Sequence, residues 1–136
     1  MDSFELVLME KEIETGFLSK EIESYSIKGN ENLVQSIYMI NEDSKEIVYL
    51  ILTTDKDVSD WEYSAIFDYY DEEVFKDVVI SVEEIHDKYN PAWKLKFGFI
   101  DSHESMQELL NKILSIHKKE LDSVYEEIKD KEEEYK

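Results

Sequence analysis

The sequence predicts an α+β fold: an antiparallel sheet of about seven strands, a barrel or strongly curved roll, packed by one long C-terminal helix. Three observations predict it. Apolar residues alternate through roughly the first hundred positions, they recur every third or fourth position beyond residue 102, and the links between apolar runs are short. Short links favour antiparallel neighbours, because parallel pairs need long crossovers. A chain of 136 residues fits one domain, 1–136, with the sheet over 1–100 and the helix over 102–134. Apolar residues make up 42% of it and 12% are aromatic, too many for a disordered chain.

Phe4, Leu6 and Leu8 alternate with Ser3, Glu5 and Val7, the pattern of a strand with one buried face. Glu10 to Gly16 reads as a hairpin connection. Phe17 to Lys28 changes phase, Leu18 and Ile22 on one face and Tyr25 and Ile27 on the other, which predicts a bulge near Glu23–Ser24. Gly29-Asn30-Glu31-Asn32 is the next turn. Leu33 to Ile40 and Glu46 to Thr54 flank the turn from Asn41 to Lys45; apolar on both faces, they belong in the middle of a sheet covered on two sides. Trp61, Tyr63, Ala65, Phe67 and Tyr69 form a period-2 stripe and predict another strand. Val78, Ile80 and Val82 alternate in the next. Ser81 to Glu84 also matches a capping box, but a hairpin with Trp93 to Phe99 favours strand.

From Ser102 the period is helical: Met106, Leu110, Ile113, His117, Leu121, Val124 and Ile128 share one stripe, with Asp101 and Glu104 spaced as a capping box. A rod from 102 to 134 is about 50 Å long at 1.5 Å per residue, against about 30 Å for a small domain. The last turns therefore overhang, and Leu121, Val124, Tyr125 and Ile128 become a candidate contact for a second copy of the chain.

This element order, seven strands and then an amphipathic helix, resembles that of pleckstrin-homology-like domains. Lipid-binding members carry a basic loop after the first strand; here that loop, Glu10 to Thr15, is acidic, so phosphoinositide binding does not carry over. The whole chain also resembles a bacterial family of unknown function, most recognisably over Asp60-Trp61-Glu62-Tyr63-Ser64-Ala65-Ile66-Phe67-Asp68-Tyr69-Tyr70-Asp71. That resemblance implies no activity.

Composition narrows function further. There is no cysteine, which removes disulfide and thiolate chemistry and fits a reducing cytoplasm. Asp2, Glu5 and Glu10 around a short apolar stretch lack the basic start of a secretory signal. The longest apolar run, Ile47 to Leu52, falls far short of the roughly 20 residues a membrane-spanning helix needs. The net charge is −19 and every basic residue is lysine. That balance argues against nucleic acid and anionic membranes as partners and leaves a basic protein as the expected one.

Asp55 to Asp60 opens like a calcium loop but lacks its sixth-position Gly and twelfth-position Glu. His86 beside Glu83 and Asp87 is short of the three or four ligands of a zinc site. His117 lies in the apolar stripe, where a core-edge histidine bonded to a strand carbonyl or a Tyr hydroxyl is expected. No phosphate-cradling loop or nucleophile elbow occurs, so neither catalysis nor a cofactor nor a metal is expected.

The candidate working surface is the acidic, aromatic segment 55–77. Asp55, Asp57, Asp60, Glu62, Asp68, Asp71, Glu72 and Glu73 surround aromatic rings, and Tyr70 falls on the polar face of the expected strand. Carboxylates around rigid rings suit a Lys- or Arg-rich protein. The alternative is a small-molecule or peptide pocket between sheet and helix, lined by the strands 61–69 and 93–99.

Overall fold

The computed structural model describes residues 3–29 and 31–135. Six strands form one sheet: β1 (Ser3–Lys11), β2 (Leu18–Lys28), β3 (Val34–Glu42), β4 (Lys45–Thr53), β5 (Ser81–Ile85) and β6 (Ala92–Gly98). Two helices join them, α1 (Asp60–Tyr69) and α2 (His103–Ile128). The strand order is β2-β1-β3-β4-β6-β5.

The sheet is mixed, open and six-stranded, which corrects the expected antiparallel barrel of about seven. One joint makes the difference. β2 does not pair with β3; the two lie on opposite sides of β1, and a 3-10 turn at Glu31–Leu33 leads into β3. Two strand spacings are only about 10 Å, so five residues suffice to step over one strand. β3 then lies parallel to β1, paired at Glu10 and Met39. Short links imply antiparallel neighbours only when consecutive strands pair. Of the turn expected over 29–32, Asn30 lies outside the described residues.

Elsewhere the alternation holds. The β1–β2 register slips between Leu8 and Met9, opposite Glu23 and Glu21, one residue from the expected bulge. β3 and β4 are the two central strands, joined at Asp43 and Ser44, both with positive φ. β5 pairs with β6 as the hairpin argument required.

Segment 60–69 is helix, not strand. Glu62 Oε1 accepts from the Ser59 backbone N–H at 2.9 Å and from its hydroxyl at 3.0 Å. That closes the start of α1, and Ala65 and Ile66 face the core. The alternating aromatics hid the Ser59-x-x-Glu62 signal. The apparent overhang of the terminal helix came from this misreading together with a helix carried on to 134. α1 packs against α2, and the chain after α2 turns back so that Tyr135 stacks near Trp61, ring centres 6.4 Å apart, and donates to Asp68 at 2.7 Å. Leu121, Val124 and Ile128 are consequently buried within one chain, and α2 ends at Ile128, not near 134. Its N-cap is Ser102, which accepts from the Ser105 N–H, rather than Asp101.

α2 covers one face of the sheet and also one edge. Along β2, His103 Nε2 donates to the Ser24 carbonyl at 2.9 Å, Ser26 N–H donates to Gln107 Oε1 at 2.7 Å, and Lys28 N–H donates to Asn111 Oδ1 at 2.9 Å. Asn111 Nδ2 returns a bond to the Ser26 carbonyl at 3.1 Å. Positions 103, 107 and 111 are four apart and share one flank of the helix, so their polar ends stand in for the missing neighbour strand. Replacing Gln107 or Asn111 by Ala leaves backbone groups of the edge unpaired. Each change is expected to lower the unfolding free energy by about 1–2 kcal/mol in urea titrations, and the double variant to associate at concentrations where the parent stays monodisperse.

Candidate functional site

The expected acidic surface does not stand free. Asp55 accepts from the Tyr125 hydroxyl at 3.1 Å and from Lys118 Nζ at 3.5 Å, so a residue assigned to partner binding and one assigned to a dimer contact hold each other within the chain. Asp57 accepts from Asn90 at 3.0 Å, Glu62 closes the start of α1, and Asp68 anchors Tyr135. Asp71 accepts from the Glu73 N–H at 3.0 Å, while its own N–H donates to Glu120 at 2.9 Å. Glu72 is half-buried, and burial, followed by the Glu84 carboxylate, raises its pKa. Asp60 and Glu73 are exposed. Much of the segment's acidity therefore secures its own loops and helix ends.

Tyr70 is the plainest correction. The strand reading put it outside; in the structure it is 6% exposed, because α1 ends at Tyr69 and turns the next residue inward. Its ring stacks on Trp93 with centres 4.3 Å apart, and its hydroxyl lies 2.8 Å from His117 Nδ1. His117 Nε2 lies 2.8 Å from the Thr53 carbonyl. A carbonyl can only accept, so Nε2 carries the proton and the Tyr70 hydroxyl donates to Nδ1. The expected core-edge histidine is present with both kinds of partner at once. Trp93, fully buried, sits edge-on to the imidazole, and its Nε1–H has no hydrogen-bond partner among the described residues.

Burial pushes the His117 pKa down to about 4, the Thr53 carbonyl and the Asp55 charge only partly opposing it. Burial likewise raises that of the Tyr70 phenol, with Glu120 and Glu72 adding to it. The group is thus a neutral hydrogen-bonded chain, Tyr70 to His117 to Thr53, sealed from solvent.

The aromatic residues expected to line a pocket between sheet and helix fill that space instead. Trp93, Leu95 and Phe97 are at most 2% exposed, and Phe67 packs on Trp93 with centres 5.4 Å apart. No helix covers the opposite face of the sheet, against the expectation that β3 and β4 are shielded on both sides, although Ile51 there is buried and Tyr38 and Tyr49 are half-buried by their neighbours. Two cross-strand rows run over it: Tyr38, Tyr49, Lys96 and Ser81, then Ser36, Ile51, Lys94 and Glu83. The Tyr38 and Tyr49 rings stack with centres 5.1 Å apart and planes 9° apart. Lys11 Nζ stands 4.3 Å from the centre of Tyr38, and Lys96 and Lys94 stand 5.2 and 6.0 Å from that of Tyr49.

Beside this stack lies a trough of about 600 Å³, lined by Lys11, Gln35, Ser36, Tyr38, Ile51 and Lys94 and closed on the β5 side by Glu83 to Lys88. Sequence reasoning missed it, although the signal was there: Tyr38, Tyr49, Lys94 and Lys96 all occupy the non-core phase of their strands. Among the described residues no three His, Asp or Glu side chains gather as metal ligands. His86 pairs with Glu84 at 2.9 Å and packs on Phe67. No described helix is long and apolar enough to cross a membrane.

These features define a class of architecture: an α+β domain whose mixed sheet is backed by a long helix on one face and left open on the other. The chain belongs to the family described as "Family of unknown function (DUF6762)", whose model matches residues 1–136. Comparison with curated proteins and with solved structures gives no match.

The buried imidazole makes a pH prediction with a definite sign. An unfolded histidine protonates near pH 6.5, this one near 4. Between these values the unfolded chain holds the extra proton, so the His117 contribution is intact above about 6.5 and is lost as pH falls toward 4. The full loss is about 3 kcal/mol. The difference in unfolding free energy between the parent and His117→Gln should shrink by that order from pH 7 to pH 4.5. The imidazole NMR signals of the parent should still report a neutral ring at pH 5. Tyr70→Phe, which leaves Nδ1 without a donor, should destabilise by about 1–3 kcal/mol at pH 7.

Proposed function

We propose that the protein is a non-catalytic binding module of the reducing cytoplasm, and that the helix-free face of the sheet is its recognition surface. One observation carries the reading: a trough of about 600 Å³ opens there, within the size range of ligand sites. Its floor is apolar at Ile51 and Tyr38, and polar ends are supplied by Gln35, Ser36 and lysines from two strands. The space beneath the sheet, by contrast, is occupied by packed aromatic and aliphatic side chains.

A second reading, a basic protein partner held by the acidic helical side, is favoured by the net charge of −19 and by exposed Asp60 and Glu73. Such a complex would weaken steeply with salt.

Ser36→Trp fills the trough without touching the core. In a thermal-shift screen of small molecules and short peptides, ligands that stabilise the parent are expected to lose at least about tenfold in affinity for this variant. Ligands that bind both proteins equally would move the recognition surface elsewhere.

A further inference from the structure

We infer that the open-face trough is a site for a small organic carboxylate, its anionic group held by Lys11 and Lys94 and its apolar body lying on Tyr38 and Ile51. The inference rests on the binding-module reading and names the ligand class.

The chain has 34 acidic residues against 15 lysines, and among the described residues three lysines, Lys118, Lys129 and Lys131, make ion pairs with them. Lys11, Lys94 and Lys96, like most of the described lysines, make no ion pair, but these three converge on one pair of tyrosine rings. Even Glu83, directly across from Lys94 in the β5–β6 register, stays out of ion-pair distance. The three ammonium groups are held instead over the Tyr38 and Tyr49 rings, whose hydroxyls have no hydrogen-bond acceptor among the described residues. Of these groups, Lys11, Lys94 and Tyr38 line the open trough, where nothing among the described residues accepts from them, and Lys96 and Tyr49 stand beside it.

Donors without acceptors select an anion. The surroundings then select its chemistry. There is no arginine fork, which is the usual device for gripping phosphate. The rim also carries Glu83, Glu84 and Asp87, opposed only by Lys88, within a chain of net charge −19. Repulsion from these groups acts twice as strongly on a dianion as on a monoanion at the same position. Attraction to the lysines doubles as well, so the preference for a carboxylate rests on the missing arginine fork. The half-buried Tyr38 ring, with the small part of Ile51 that is exposed (7%), supplies an apolar floor that a hydrated inorganic ion would not use, so the anion is expected on an aromatic or aliphatic body.

The test is a titration of the ¹⁵N-labelled full chain followed by NMR, with phenylacetate, phenyl phosphate, 2-phenylethanol and poly-L-glutamate as probes. Phenylacetate is expected to shift the amides of residues 36–38, 51 and 94–96 saturably, and to bind at least about tenfold more tightly than 2-phenylethanol. Lys11→Gln with Lys94→Gln should abolish saturation. Lys112→Gln, on the exposed side of α2, removes a positive charge elsewhere and should leave the affinity unchanged. Circular dichroism melting of each variant separates lost binding from lost folding. The inference is overturned by tighter binding of phenyl phosphate, by equal binding of the neutral alcohol, or by binding of poly-L-glutamate alone. Failure of all four probes, while the thermal-shift screen yields ligands sensitive to Ser36→Trp, overturns the carboxylate assignment and leaves the binding surface standing.

Discussion

One buried imidazole holds the two layers of this protein in register. His117 projects from the middle of α2 to the end of β4, where Nε2–H meets the Thr53 carbonyl, while Nδ1 receives the hydroxyl of Tyr70 just beyond α1. An unpaired polar group at this depth destabilises by about 1–3 kcal/mol. A slide of α2 by one turn would break both hydrogen bonds and strand four polar atoms at once. Apolar packing alone tolerates such shifts more readily, since Leu, Ile and Val contacts are not directional. The hydrogen-bonded chain therefore sets which part of the helix lies over which strand, and burial of the surrounding stripe supplies most of the stabilisation.

Two allocations follow from that register. With His117 fixed over β4, the first turns of α2 lie along β2, and His103, Gln107 and Asn111 reach the backbone groups that an edge strand would expose. The last turns meet α1 and the turn after Ile128, and their apolar side chains are covered without a second chain. Both helices are thereby committed to one side of the sheet. The other side keeps its tyrosines, lysines and trough open to solvent, and the surplus of carboxylates is distributed over the helices and loops. The protein carries a net charge of −19, and on the open face lysines of β1 and β6 stand close to Glu83, Glu84 and Asp87.

Some of this was legible in the chain and some was not, for identifiable reasons. The switch from a two-residue to a three-to-four-residue repeat marked α2, and the alternation at 4–8, 46–54 and 93–99 marked β1, β4 and β6. The fate of His117 followed from its place in the apolar stripe. The segment 60–69 deceived because Trp61, Tyr63, Phe67 and Tyr69 are strong strand formers at alternate positions. A cap of two hydrogen bonds from Ser59 to Glu62, and burial of Ala65 and Ile66, outweighed that preference. The open face was invisible for a different reason: apolar and aromatic residues on both sides of β3 and β4 predict cover on both sides, and alternation carries no information about where a distant helix will lie.

The sequence by itself determined the local periods, the acidic balance, the absence of thiol chemistry and the membership of each side chain in one phase or the other of its strand. These depend on backbone geometry and composition, which act over a few residues. Only the tertiary structure decided that β3 steps over β1 to lie parallel to it, that Tyr70 turns inward, and that no helix covers one phase of the sheet. Each of those outcomes turns on contacts between residues 47 to 85 positions apart, such as Tyr70 with His117, Thr53 with His117, and Ser26 with Asn111, or on the choice of which strands pair. Such contacts form only when the ordering entropy of the whole chain is offset by simultaneous burial, and no local pattern encodes them.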